Sequence, residues 1–133
     1  MKEKITIYTD GACSGNPGKG GWAAVIIEDE NEKTISGSEM LTTNNRMELL
    51  AVINALKEVS SVEIDIYTDS KYVKNGIESW IKNWKMNGWM TAAKQPVKNK
   101  DLWLELDTLV TKKEIEWKWV KGHSNDHYNT IVD

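Results

Sequence analysis

Two aspartates follow the same three residues, in Ile7-Tyr8-Thr9-Asp10 and in Ile66-Tyr67-Thr68-Asp69. Each tetrapeptide closes a run rich in Ile, Thr and Tyr, the composition of a β-strand. If the two strands are parallel neighbours, both carboxylates leave the sheet at its C-terminal edge, where open α/β sheets bind ligands. Like charges there repel, and a bound cation relieves them. Glu48 and Asp133 are further carboxylates that could reach the same edge. Oxygen donors of this kind suit Mg²⁺ or Mn²⁺. His123 and His127 stand four apart, but Cys13 is the only cysteine, so zinc is poorly served. Taken singly, each acid also has a bland reading: Asp10 a turn residue, Asp69 a helix cap, Glu48 a helix-dipole partner, Asp133 a solvated terminus.

The elements between the acids decide whether they meet. Residues 4–10 read as a strand, 11–21 as a glycine-heavy loop, 22–28 and 33–41 as two strands joined by a polar turn. Asn44 or Asn45 is an apt helix cap, which places Glu48 in the first turn. Leu49, Val52, Ile53 and Leu56 then recur at helical spacing. Residues 62–68 read as a fourth strand. Asp69-Ser70 caps a helix carrying Tyr72, Val73, Ile77, Trp80, Ile81 and Trp84, broken at Asn87-Gly88. Residues 99–111 are helical by the spacing of Leu102, Trp103, Leu106 and Val110, and 114–120 read as a last strand. The order predicts an α/β fold. A hairpin is inserted before a parallel crossover, which gives a five-stranded mixed sheet, antiparallel over strands 1-2-3 and parallel over 1-4-5.

The chain has 133 residues, 40% hydrophobic and 28% charged, as expected of one globular domain over 1–133. The lone cysteine excludes an internal disulfide. No apolar leader or bilayer-length run is present, and a cytoplasmic location is the expectation. The net charge is −3, yet residues 71–100 carry seven lysines against one acid, Glu78, leaving −9 for the remainder. Such asymmetry reads as a local anion-binding face, or as an ordinary solvated helix surface. The glycine-rich segment Gly11–Gly21 is not a phosphate-binding loop of either standard kind, because Lys19 is followed by Gly20 and the G-x-G-x-x-G frame from Gly18 meets Ala23.

Taken in order, the segments resemble type 1 ribonuclease H. The resemblance rests on Asp10-Gly11 with Gly15-Asn16-Pro17-Gly18, on Asn44-Asn45-Arg46-Met47-Glu48-Leu49, and on Thr68-Asp69-Ser70 with Tyr72-Val73. It continues through Gly76-Ile77, Trp80, Gly88-Trp89, Asp101-Leu102-Trp103 and Trp119-Val120-Lys121-Gly122-His123. The family implies the ribonuclease H-like fold and a metal-dependent endonuclease that cuts the RNA strand of RNA/DNA hybrids, leaving 5′-phosphate and 3′-hydroxyl ends. By the same resemblance Asp10 is shared by two metal ions. Glu48 and Asp69 hold the leaving-group ion, Asp133 helps hold the other, and His123 assists proton transfer or product release. Cys13 (through its backbone), Asn16 and Asn44 would read the RNA strand. Trp80, Trp84, Lys85 and the neighbouring lysines would follow the DNA strand, with Thr43 and Asn83 gripping a phosphate.

The chain also departs from the family. Lys71 stands where glutamine is frequent, and the segment 82–90 is less basic than in familiar bacterial members, so weaker hybrid affinity is expected. The sequence given stops at Asp133, where the family continues into a C-terminal helix. That helix is therefore expected to be absent. A monomer is expected, or a dimer if a second copy takes its place. The competing class is a hybrid-binding module without catalysis, with a metal site left incomplete because Asp133 is terminal.

Overall fold

A computed structural model describes residues 4–15, 17–60 and 63–120. Five strands form one sheet in the order β3-β2-β1-β4-β5. They are β1 (Lys4–Gly15), β2 (Gly18–Glu28), β3 (Asn31–Thr42), β4 (Glu63–Thr68) and β5 (Glu114–Trp119). β1–β2 and β2–β3 are antiparallel, whereas β1–β4 and β4–β5 are parallel. The mixed sheet expected from the element order is the one found. The fate of the expected C-terminal helix lies outside the described residues.

The alternation of the strands sets the core. Ile5, Ile7 and Thr9 of β1 are buried, as are Ile64, Ile66 and Thr68 of β4. The parallel register pairs Ile5 with Ile64 and Ile7 with Ile66, so these residues share one face. Helix α1 (Asn44–Glu58) covers that face with Leu49, Val52, Ile53 and Leu56, all buried. Each such side chain contributes roughly 1.5–3 kcal/mol of burial free energy. Trp103 and Leu106 of α4 (Lys100–Thr111) extend the same core. Between β4 and α4 the chain runs through α2 (Lys71–Asn75), a π-helical turn (Gly76–Trp80) and α3 (Ile81–Met86). Among the described residues no helix is long and apolar enough to cross a membrane.

Two expectations are corrected. Residues 11–15 and 18–21 are strand rather than loop: β1 runs on to Gly15 and β2 begins at Gly18, paired from Gly15↔Gly18 to Asp10↔Ala23. Glycine is a poor strand former in isolation, but here its missing side chain is what lets other groups come close. A Cβ on Gly20 would lie 2.6 Å from the Thr42 methyl and 2.9 Å from Met47 Cγ. The cap of α1 is Thr43, one residue before the asparagines: its hydroxyl accepts from the Arg46 amide at 3.3 Å. Glu48 therefore sits in the second turn, and the first turn holds no acid.

Candidate active site

The last paired rung of the parallel β1–β4 ladder is Tyr8↔Tyr67, and its two rings stack with centroids 4.6 Å apart. Asp10 and Asp69 each follow two residues later. The repeated tetrapeptide thus delivers both aspartates to one edge because the two strands are in register.

Glu48 reaches this edge by a close helix–strand approach. A Cβ on Gly11 would fall 2.5 Å from the Met47 carbonyl carbon and 2.6 Å from the Glu48 nitrogen. The backbone of α1 therefore rests directly on β1 beside Asp10, which only glycine permits. The inserted hairpin β2–β3 returns the chain to the C-terminal end of β1, and α1 starts there.

Ser70 ties Glu48 to the start of α2. Its hydroxyl donates to Glu48 Oε2 at 2.5 Å and accepts from the Val73 amide at 3.1 Å as the helix cap. Ser70 is buried at 3% exposure. Because Ser70 is the cap, the bland reading of Asp69 as the cap falls away. The Glu48 carboxyl is pushed above the usual glutamate range. Burial is the main cause, the Ser70 hydrogen bond opposes it, and the charge of Asp69 adds to it. Glu48 thus feels the charge of Asp69. A half-buried carboxylate repelled by a second one fits a hard divalent cation. Among the described residues, no three His, Cys, Asp or Glu side chains form a metal cluster by themselves. Asp133, the expected fourth carboxylate, and His123 lie outside the described residues, as does Asn16.

A cleft of about 480 Å³ opens beside Asp69, walled by Ser70, Lys71, Lys74 and Trp119. Asp10 borders a second hollow of about 250 Å³ with Gly11 and Trp22.

The expected substrate residues among those described lie on β1, at the start of α1 and along the segment from α2 to α3. The Cys13 thiol lies 3.3 Å from the Thr42 carbonyl oxygen and 3.4 Å from that of Gly18, so it is turned into the β1–β2–β3 junction. Asn44 is exposed at the start of α1, beside Thr43, whose hydroxyl is engaged as the cap. Asn83 is exposed on α3. Trp80 and Trp84 are half-buried and belong to an aromatic ladder. Tyr72 meets Trp80 at 5.6 Å, Trp80 meets Trp84 at 5.9 Å, and Trp84 meets Trp89 and Trp103 at 5.9 and 5.4 Å. They serve the core and still present an edge outward. Lys85 is partly neutralised by Asp107, 2.9 Å away.

Sequence reasoning missed a polar network that locks α1 to α4. Arg46 donates through Nη1 and Nη2 to the two oxygens of Asp101 at 3.1 and 2.9 Å, and through Nη1 to Asn99 Oδ1 at 3.1 Å. Asn99 holds a left-handed backbone, φ 60°. The Tyr72 hydroxyl accepts from Asn99 Nδ2 and from Trp103 Nε1, both at 3.0 Å. The Arg46 bond holds Asp101 below the usual aspartate range. Arg46 and Asp101 are far apart in sequence, and no local spacing signals their pairing.

The RNase H family model matches residues 2–133. A curated "Ribonuclease H" of Ehrlichia chaffeensis is 60% identical over 131 residues, covering 98% of this chain and 90% of that protein. The "Ribonuclease H" of Wolbachia pipientis wMel is 59% identical over 133 residues, covering 99% and 92%. Among solved structures, LC9-RNase H1, described as "a type 1 RNase H with the type 2 active-site motif", superposes with a TM-score of 0.87 at 28% identity, covering 99% of this chain and 69% of that one. A foamy viral protease–reverse transcriptase, solved in complex with RNA/DNA hybrid, shares the fold with a TM-score of 0.80 at 22% identity, over 99% of this chain and 19% of that one. The strand order and these matches agree: the chain belongs to the RNase H family of nucleases and is a type 1 ribonuclease H enzyme.

Proposed function

We propose that this chain, as one ribonuclease H domain over 1–133, hydrolyses the RNA strand of RNA/DNA hybrids by a two-metal-ion route that leaves 5′-phosphate and 3′-hydroxyl ends. The observation that carries the reading is the shared edge, where Ser70 holds Glu48 beside Asp69 and Gly11 brings α1 onto β1 next to Asp10. Asp10, Glu48, Asp69 and Asp133 would hold the ions, Mg²⁺ or Mn²⁺, with Asp10 shared between them. Ions so held supply a hydroxide nucleophile and charge stabilisation for both oxygens of an in-line displacement. His123 would move a proton near the leaving group.

The remaining residues would hold the hybrid. Recognition of RNA against DNA turns on the 2′-hydroxyl. Asn16, Asn44 and the Cys13 backbone are assigned that contact. The DNA strand is assigned to Thr43, Asn83, Trp80, Trp84 and Lys85, where aromatic edges alternate with polar and basic groups. The partner is the hybrid itself, bound by a monomer.

The deciding experiment is cleavage of an end-labelled RNA/DNA hybrid with and without Mg²⁺ or Mn²⁺, with Asp10→Asn as control. Metal-dependent cuts in the RNA strand alone, with phosphate on the downstream fragment and none in the control, support the reading. Hybrid binding without cleavage at high enzyme sinks it.

A further inference from the structure

β3 is an edge strand and a long one. Its 12 residues pair with β2 on one side and, among the described residues, with no strand on the other. Such an edge offers unpaired backbone N–H and C=O groups to any second strand. Residues 31–34, 36 and 38–41 are exposed. Met40 and Leu41, 79% and 75% exposed, sit in a bulge between the pairs Gly20↔Glu39 and Gly18↔Thr42. The bulge ends the regular part of the edge, which is 33–39.

That stretch is complementary to itself. Laid antiparallel on a second copy about Ser36, it sets Lys33 opposite Glu39, Thr34 opposite Ser38 and Ile35 opposite Gly37, each twice by symmetry. Opposite charges and paired hydroxyls both stabilise neighbouring strands. Glu39 lies near Arg46, but that guanidinium is matched to Asp101, and among the described residues Glu39 forms no salt bridge. Lys33 meets Glu58, and its exposed ammonium has donors for a second carboxylate. A shift of two places sets Lys33 against Gly37 or Leu41 and loses the charge match, so the edge charges disfavour other registers. Trp22 adds apolar contact. A Cβ on Gly37 would lie 2.6 Å from Trp22 Nε1, so the indole lies over this glycine at the edge. Ile35 of the second copy, opposite Gly37, comes to rest beside it.

We propose that two copies of this chain pair through β3 into a resting dimer with one continuous sheet, and that the dimer competes with the hybrid. β3 runs the same way as β1, because two antiparallel steps separate them. Its end at Thr42 therefore lies toward the carboxylate edge, and the second copy's β3 begins beside it. The exposed turn Asp29-Glu30 precedes that beginning. Dimerisation thus brings Asp29, Glu30 and Glu32 of the second copy next to Thr43 and Asn44, where they repel phosphates. The competition rests on the hybrid-cleaving reading, which assigns Thr43 and Asn44 to nucleic acid; the pairing of the two edges does not. A strand pair of this length buries little area, so the dimer is weak and concentration-dependent.

Sedimentation velocity without hybrid, from about 1 µM to about 1 mM protein, reads the dimer. The wild type is expected to double in mass toward the upper end. Lys33→Glu and Glu39→Lys should each weaken dimerisation about tenfold or more, since like charges then face each other twice. An equimolar mixture of the two variants should dimerise like the wild type, because each like-charged edge then meets its opposite. The double exchange Lys33→Glu/Glu39→Lys should do the same, and either recovery shows that the variants fold. A wild type that stays monomeric throughout, single variants that dimerise unchanged, or a mixture and double exchange that both stay monomeric overturn the pairing. Added hybrid should convert the wild-type dimer to a hybrid-bound monomer. Cleavage per protomer should fall at high enzyme for the wild type and stay constant for Lys33→Glu. A dimer that takes up hybrid without dissociating overturns the competition. Failure of the cleavage reading shows separately, as a monomeric Lys33→Glu that cuts no hybrid with metal.

Discussion

The Ser70 hydroxyl donates to Glu48 Oε2 at 2.5 Å while accepting from the Val73 amide, so one buried side chain both caps α2 and aims a carboxylate from α1. Removing it should do two separable things. Ser70→Ala should cost about 1 kcal/mol of stability through the lost cap and lower kcat about tenfold or more by freeing Glu48. Ser70→Thr keeps a hydroxyl and should restore both. Denaturant unfolding and single-turnover cleavage report the two effects. An alanine variant as active as the threonine variant would leave the Ser70–Glu48 bond without a catalytic role.

Glu48 carries a pH signature with a definite sign. Its folded-state pKa is raised, chiefly by burial, so the folded protein holds the proton more tightly than the unfolded chain. Stability should therefore fall as pH rises from the usual glutamate range through the raised value. Glu48→Gln removes this penalty while leaving an acceptor for Ser70. The variant should melt a few degrees higher than the wild type at pH 7 without metal. The gap should close at acidic pH, where both forms are neutral. Added Mg²⁺ should raise the wild-type Tm more than that of the variant, since a ligand stabilises the state that binds it. Equal melting temperatures at pH 7 would argue against the penalty.

Gly11 is a packing requirement with a functional consequence. A methyl group there meets the α1 backbone at 2.5–2.7 Å, and backbone cannot swing away as a side chain can. Gly11→Ala should destabilise the protein by about 1–3 kcal/mol and shift Glu48 away from Asp10. Hybrid cleavage should fall further than the loss of folded protein explains. Activity per folded molecule, measured well below the melting temperature, checks this.

The Arg46 network should matter for stability more than for chemistry. Arg46→Ala removes a bidentate pair with a well-exposed Asp101 and the bond to Asn99. A loss of about 1 kcal/mol is expected, given the exposure. Asp101 has a lowered pKa, so this contribution is present at neutral pH. It disappears only as pH falls through and below the usual aspartate range. Urea unfolding of both proteins at pH 7 and at strongly acidic pH should show the difference shrinking with acid.

Hybrid binding should weaken steeply with salt although the whole chain is acidic, because the lysines of 71–100 meet phosphates locally. A flat salt response would remove this face from the contact surface. Lys85→Ala should lower the slope less than Lys71→Ala, since Lys85 is already paired with Asp107.

Local pattern by itself determined the strands and helices wherever periodicity was strong. β1 and β4 follow from their alternation, and α1 and α4 from apolar residues recurring every three or four positions. The Tyr-Thr-Asp repeat announced two carboxylates at one edge, because parallel strands in register must end alike. Tertiary structure decided the rest. Residues 11–15 and 18–21 read as loop by their glycine content, yet they pair as strand, and at Gly11 and Gly20 neighbouring groups occupy the space that a side chain would fill. Thr43 rather than Asn44 caps α1, a choice among adjacent residues all able to cap. Nothing near Ser70 in the chain points to Glu48, and nothing near Arg46 points to Asp101. Those contacts join residues that are distant in sequence, and only the packing of α1 on β1 and α4 brings them within hydrogen-bonding distance.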